Sequence, residues 1–168
     1  TISLEEKNRD EIEIILKTTD LDWESVVKVS TSHYVFPTLY CNLERVNFLK
    51  YLPTDLVDYM KHITNLNRER NTQILQQAQE LNSLLLANNI RPIFLKGTGN
   101  LLAGIYDNIA ERMVGDIDFI FSKEDYPKAI RVLRKFGYTQ VETHKYYYPG
   151  NRHYRRQIKE NTIAAIEI

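Results

Sequence analysis

The chain has 168 residues, 43% apolar and 26% charged, which is the size and composition of one ordinary folded domain and excludes a long disordered or low-complexity protein. Its 22 basic and 22 acidic residues cancel, so no global charge draws it to nucleic acid or anionic membrane. The balance is uneven along the chain: residues 1–90 hold 9 bases and 13 acids, residues 91–168 hold 13 bases and 9 acids, and the second part favours an anionic ligand.

Leu4, Ile12, Ile15 and Leu16, spaced among Glu and Lys, predict an amphipathic helix over residues 4–17. Asp20 or Asp22 can cap a second helix carrying Trp23, Val26, Val27 and Val29, and Pro37 is expected to interrupt the segment from Tyr34 to Leu39. After Pro53 a long helix is predicted from Leu56, Met60, Ile63 and Leu66, continuing through Ile74, Ala78, Leu81, Leu84 and Leu85, with a break near Asn65 to Asn67. Asn88 and Asn89 stop it.

From there the pattern changes. Ile93, Phe94 and Leu95 read as a short buried strand, Gly97 to Tyr106 as a turn and helix, and Ile117 to Phe121 as a second buried strand. Ser122 and Asp125 start a helix with an apolar face of Ala129, Ile130, Val132, Leu133 and Phe136, ended by Gly137. Strands are expected over Tyr138 to Glu142, Tyr146 to Tyr148, His153 to Ile158 and Thr162 to Ile168. The fold class is therefore α+β, with a helical region over residues 1–90 and a small mixed sheet with flanking helices over residues 91–168.

Cys41 is the single cysteine and can form neither an internal disulfide nor a cysteine-based metal site, so the expected compartment is the cytoplasm. No apolar run reaches the roughly 18 residues of a membrane span, and the first residues are too acidic for a signal peptide. A start without Met and an end at Ile168 suggest part of a longer chain.

Three features of the second part carry candidate chemistry. Leu95-Lys96-Gly97-Thr98-Gly99 stands where a strand passes into a helix, a place that favours an anion; a plain turn with Thr98 as N-cap is the alternative. Lys96 precedes the glycines, which excludes a Walker A loop, and Leu102 stands where a dinucleotide fingerprint needs its third glycine. Asp116 and Asp118, two apart in a strand, project to one face. Their repulsion is relieved by a divalent cation, or by solvent if they lie on an exposed strand end. Arg112 lies four residues before Asp116, and Arg152, His153, Tyr154, Arg155 and Arg156 form a basic cluster that either meets phosphates or is simply solvated. No nucleic-acid-binding motif accompanies that cluster, and the Tyr146 to Tyr148 run reads as pocket lining or sheet packing.

A phosphate turn, a helix and a strand bearing Asp-hydrophobic-Asp resemble the DNA-polymerase-β-like nucleotidyltransferase superfamily. Ile90 to Gly97, Tyr106, Arg112 and Gly115 to Phe119 are similar to a bacterial family of uncharacterised nucleotidyltransferases, nucleotidyltransferase family 5. Pro37 to Tyr40 and Asn65, Asn67 and Asn71 extend the resemblance upstream. It implies that Gly97 and Thr98 bind the triphosphate of a nucleotide and that Asp116 and Asp118 bind metal, with Glu167 as the third acid; Lys96 is expected to join the phosphate contacts and Arg112 to stabilise developing charge. It further implies two Mg²⁺ ions and transfer of a nucleoside monophosphate from a nucleoside triphosphate to an acceptor hydroxyl. A non-catalytic nucleotide-binding or interaction module, and a toxin-like transferase acting on RNA or protein, are the alternatives. The Lys96 to Gly99 turn departs from the usual Gly-Ser form, and members of the family continue past the third carboxylate, so a truncated core is expected.

Overall fold

In a computed structural model the chain is described over residues 6–18, 20–141 and 155–168. Tyr146 to Tyr148, and Arg152, His153 and Tyr154 of the basic cluster, lie outside the described residues. The described residues are α+β and fall into two compact units, one built from those up to Asn71 with Tyr106–Met113, the other from Thr72–Ile105 and Val114 onward.

The first unit is helical. It holds α1 (Glu6–Thr18), α2 (Trp23–Ser32), α3 (Phe36–Arg45), a 3-10 turn at Leu49–Tyr51 and the first part of α4 (Thr54–Ala87). Asp22 caps α2, accepting the Ser25 N–H at 3.1 Å. Pro37 does not interrupt a helix but sits in the first turn of α3, where its missing N–H costs nothing. Phe36, Tyr40, Cys41, Leu43, Phe48 and Met60 are buried in one apolar cluster. Burial pushes the Cys41 thiol up to about 11, so it stays protonated at neutral pH.

The break expected in α4 near Asn65 to Asn67 is absent, and the helix runs unbroken for 34 residues. The reason lies in where the asparagine side chains go. Asn67 Nδ2 donates to the carbonyls of Ala110 at 2.7 Å and Arg112 at 3.1 Å, and Asn71 Nδ2 to those of Ile109 at 2.5 Å and Arg112 at 2.7 Å. Amides engaged in this way do not compete for the helix's own backbone. Thr38 Oγ1 donates to the Glu111 carbonyl at 2.6 Å, and Arg45 pairs with the Glu111 carboxylate and, at 3.3 Å, with Asp107. The backbone carbonyls from Ile109 to Arg112 are thus satisfied by side chains of α3 and α4.

The second unit begins with the remaining turns of α4. Asn89, at φ 53°, ends the helix, with its N–H donating to the Leu86 carbonyl and the Ile90 N–H to the Leu85 carbonyl, each at 2.9 Å. There follow β1 (Ile93–Phe94), α5 (Lys96–Leu102), β2 (Asp116–Ile120), α6 (Tyr126–Lys135), β3 (Thr139–Gln140), β4 (Arg156–Ile158) and β5 (Ala165–Glu167). The strand order is β1-β2-β5-β4-β3, with β2 and β5 parallel and the other pairs antiparallel. β1 is an edge strand instead of a buried one, and Ile93 is 58% exposed.

Register separates the two faces of the sheet. Ile117 pairs with Ile166, and Ile166 with Gln157, all buried. Phe119 lies on the same face as Ile117 and packs its ring 5.6 Å from that of Phe94. The opposite face carries Asp116 and Asp118. On α4, Gln77 Nε2 donates to the Ala164 carbonyl at 2.8 Å and the Tyr138 hydroxyl at 3.1 Å, while its Oε1 accepts the Ala164 N–H at 3.1 Å. The chain entering β5 is therefore held through both the N–H and the carbonyl of one residue.

Candidate active site

Alternation along β2 places Asp116 and Asp118 on one face, and the register across the sheet extends that face into a row. Asp118 pairs with Glu167 of β5, and Glu167 with Arg156 of β4. Directly paired residues on neighbouring strands point the same way, so Asp118, Glu167 and Arg156 stand side by side, with Asp116 two residues along. Asp118 is buried, and its side chain is only 6% exposed.

Two cations meet these acids. Lys96 Nζ lies 2.5 Å from Asp118 Oδ1 and 3.8 Å from Glu167 Oε2. Arg156 Nη1 lies 3.2 Å from Glu167 Oε1 and 3.9 Å from Asp116 Oδ2. Desolvation, and next the neighbouring charges of Asp116 and Asp118, raise the Glu167 carboxyl above its ordinary value; Lys96 and Arg156 work in the opposite direction.

The turn before α5 sets the Lys96 position. Lys96 has φ 50°, a left-handed backbone that costs a residue with a Cβ roughly 1–2 kcal/mol, and it is the first residue of α5. Gly99 follows because no side chain fits: a Cβ there would lie 2.6 Å from the Phe94 carbonyl oxygen. The Leu95 N–H donates to the Asp118 carbonyl at 2.9 Å, and the Thr98 hydroxyl to the Asp116 carbonyl at 3.0 Å. Thr98, fully buried, thus ties α5 to the backbone of Asp116, as Leu95 ties the turn to that of Asp118, and Gly97 is buried beside it.

Of the residues singled out in the sequence, Lys96, Gly97, Thr98, Asp116, Asp118 and Glu167 lie together in the second unit. Arg112 belongs to the first unit, where its side chain is exposed and its carbonyl accepts from Asn67 and Asn71. Arg156, read in the sequence only as one member of a charge run, is directly among the acids. Gln77 was not legible at all, since a glutamine on a long helix carries no signal for the strand it holds.

Among the described residues no group of three or more His, Cys, Asp or Glu closes around a single point as a metal cage. Mg²⁺ does not need one: it takes one or two protein carboxylates, with water and substrate phosphates completing the shell. Hard oxygen donors, mutually repelling and partly neutralised by an ammonium and a guanidinium, fit that ion.

No helix of the described residues is long and apolar enough to cross a membrane. Comparison with curated proteins and with solved structures returns no match. A family described as uncharacterised nucleotidyltransferase matches residues 19–168, and its name carries a general nucleotidyltransferase role with a nucleoside triphosphate as substrate. With nearly the whole chain covered, and the turn, the Asp pair and the Glu167 strand inside the match, this protein belongs to that nucleotidyltransferase family.

Proposed function

We propose that this protein transfers a nucleoside monophosphate from a nucleoside triphosphate to an acceptor hydroxyl in a Mg²⁺-dependent reaction, at the face formed by Asp116, Asp118 and Glu167. The observation that carries this reading is the pairing of Asp118 with Glu167 across parallel strands, with Lys96 beside both. Two acids meet one lysine at the start of a helix, and the third, Asp116, stands two residues from Asp118 on the same face.

Asp116 and Asp118 would hold the metal, with Glu167 as third ligand or base. When bound, Mg²⁺ supplies a positive charge that stabilises the negative oxygens of the phosphates and of the attacking group. Lys96 and the Gly97–Thr98 turn receive the triphosphate, the lysine as a charge and the turn through backbone N–H groups, since the first turn of a helix has no acceptors for them within the helix. The Thr98 hydroxyl is engaged with β2, so its part is to hold turn and strand together. Glu167, with its carboxyl raised, is suited to take the acceptor's proton. The acceptor oxygen bonds to the α-phosphorus, the bond from that phosphorus to the bridging oxygen breaks, and pyrophosphate leaves.

The test is incorporation of label from α-labelled ATP, GTP, CTP and UTP into sugar, antibiotic, protein and tRNA acceptors, with Asp118→Asn alongside. Labelled product from one nucleotide, reduced at least about 100-fold in Asp118→Asn, is expected. Label in no acceptor would favour a nucleotide-binding module without turnover.

A further inference from the structure

Lys96 and Arg156 do more at this site than add positive charge. Between them they touch all three carboxylates, each cation bridging two acids: Lys96 spans Asp118 and Glu167, Arg156 spans Glu167 and Asp116. Both are about half exposed, at 51% and 45% of the side chain, while Asp118 and Glu167 are largely covered. The acids are therefore fixed by the sheet, and the cations approach them from solvent on long side chains able to withdraw. Lys96 also departs from ordinary backbone geometry, and its left-handed φ aims a charged residue where glycine is the unstrained choice.

We propose that Lys96 and Arg156 are resident counter-ions that occupy the carboxylate face in the absence of nucleotide, oppose binding of a divalent cation alone, and transfer to the triphosphate when the metal arrives with it. This rests on the nucleotidyltransferase reading above and deepens it by assigning Arg156 a positioning role and by coupling the two ligands. A cation within 4 Å of two acids and a metal ion sharing those acids repel one another, so one displaces the other. A triphosphate offers both side chains an alternative anion, bidentate in the case of the guanidinium. Metal and triphosphate then each raise the affinity of the other by the same factor, because the coupling is reciprocal. The benefit is that binding of free metal is opposed and most of the negative charge of the three acids is offset until the substrate is present.

The experiment is a titration of the 168-residue protein with Mg²⁺ alone, and then with Mg²⁺ and each of ATP, GTP, CTP and UTP, for wild type, Lys96→Met and Arg156→Gln, after circular dichroism has shown that each is folded. Expected are Mg²⁺-alone affinities about five- to tenfold tighter in each variant than in wild type, with Mg²⁺-nucleotide binding weakened by a similar factor. Arg156→Gln, at an exposed strand position, keeps the test decisive if Lys96→Met fails to fold. Unchanged or weaker Mg²⁺-alone affinity in a folded variant, with wild type still binding Mg²⁺-nucleotide, overturns the counter-ion role and leaves the nucleotidyltransferase reading standing. Absence of Mg²⁺-nucleotide binding in all three proteins overturns both.

Discussion

Glu167 illustrates how a residue's surroundings define its use. Its carboxyl is raised above the ordinary 4.5 by burial and by the two aspartates, despite two cations nearby. A carboxyl that holds its proton more tightly when folded contributes stability below its unfolded value and loses that contribution as pH rises through the higher folded value. Wild type should therefore lose stability relative to Glu167→Gln as pH rises from 4.5 towards neutrality, read as urea midpoints of the metal-free proteins. A midpoint difference that stays constant across that range, or moves the other way, contradicts the raised carboxyl. At this scale the sequence was informative where periodicity decides direction. Asp116 and Asp118 share a face because strands alternate, and Glu167 lies opposite Asp118 in register. It was uninformative where backbone conformation decides: a left-handed lysine at position 96 contradicts residue preference, and only the packed turn maintains it.

Elements were legible to the extent that their signals are local. The C-caps at Asn89 and Gly137, both at positive φ, and the Ser122 and Asp125 pair before α6 follow from short-range chemistry. The error in α4 arose because asparagine was judged by its local tendency to leave a helix, whereas Asn67 and Asn71 spend their amides on a segment 38 to 45 residues away. Thr38 donates to the same segment, so three of the upstream residues that resembled the family, Thr38, Asn67 and Asn71, share one structural task. The error in β1 has a similar origin, since an apolar run of three says nothing about which strands flank it. The packing of α5 on β1 depends on Gly99. In Gly99→Ala the new Cβ would meet a backbone carbonyl that has no rotamer with which to yield. A loss of about 1–3 kcal/mol in urea unfolding is expected; stability equal to wild type would show that the helix shifts freely on the strand.

For the whole molecule, zero net charge proved uninformative because electrostatics here is local. What matters is one buried aspartate, two further acids and a half-exposed arginine arranged across three adjacent strands of a mixed sheet, with a half-exposed lysine at the start of α5 beside them. Family membership brings a nucleotidyltransferase role, and the sheet face is the location proposed for it. The proposed requirement for metal follows from the same arrangement: three acids held together by structure, balanced by cations that a Mg²⁺-triphosphate can replace. Calorimetric titration with Mg²⁺ and each of the four nucleoside triphosphates, on wild type and on Asp116→Ala/Asp118→Ala, examines this most directly. Saturable, Mg²⁺-dependent binding of at least one nucleotide by wild type, weakened at least about tenfold in a folded double variant, is the predicted result. Equal affinity in the two proteins would contradict it.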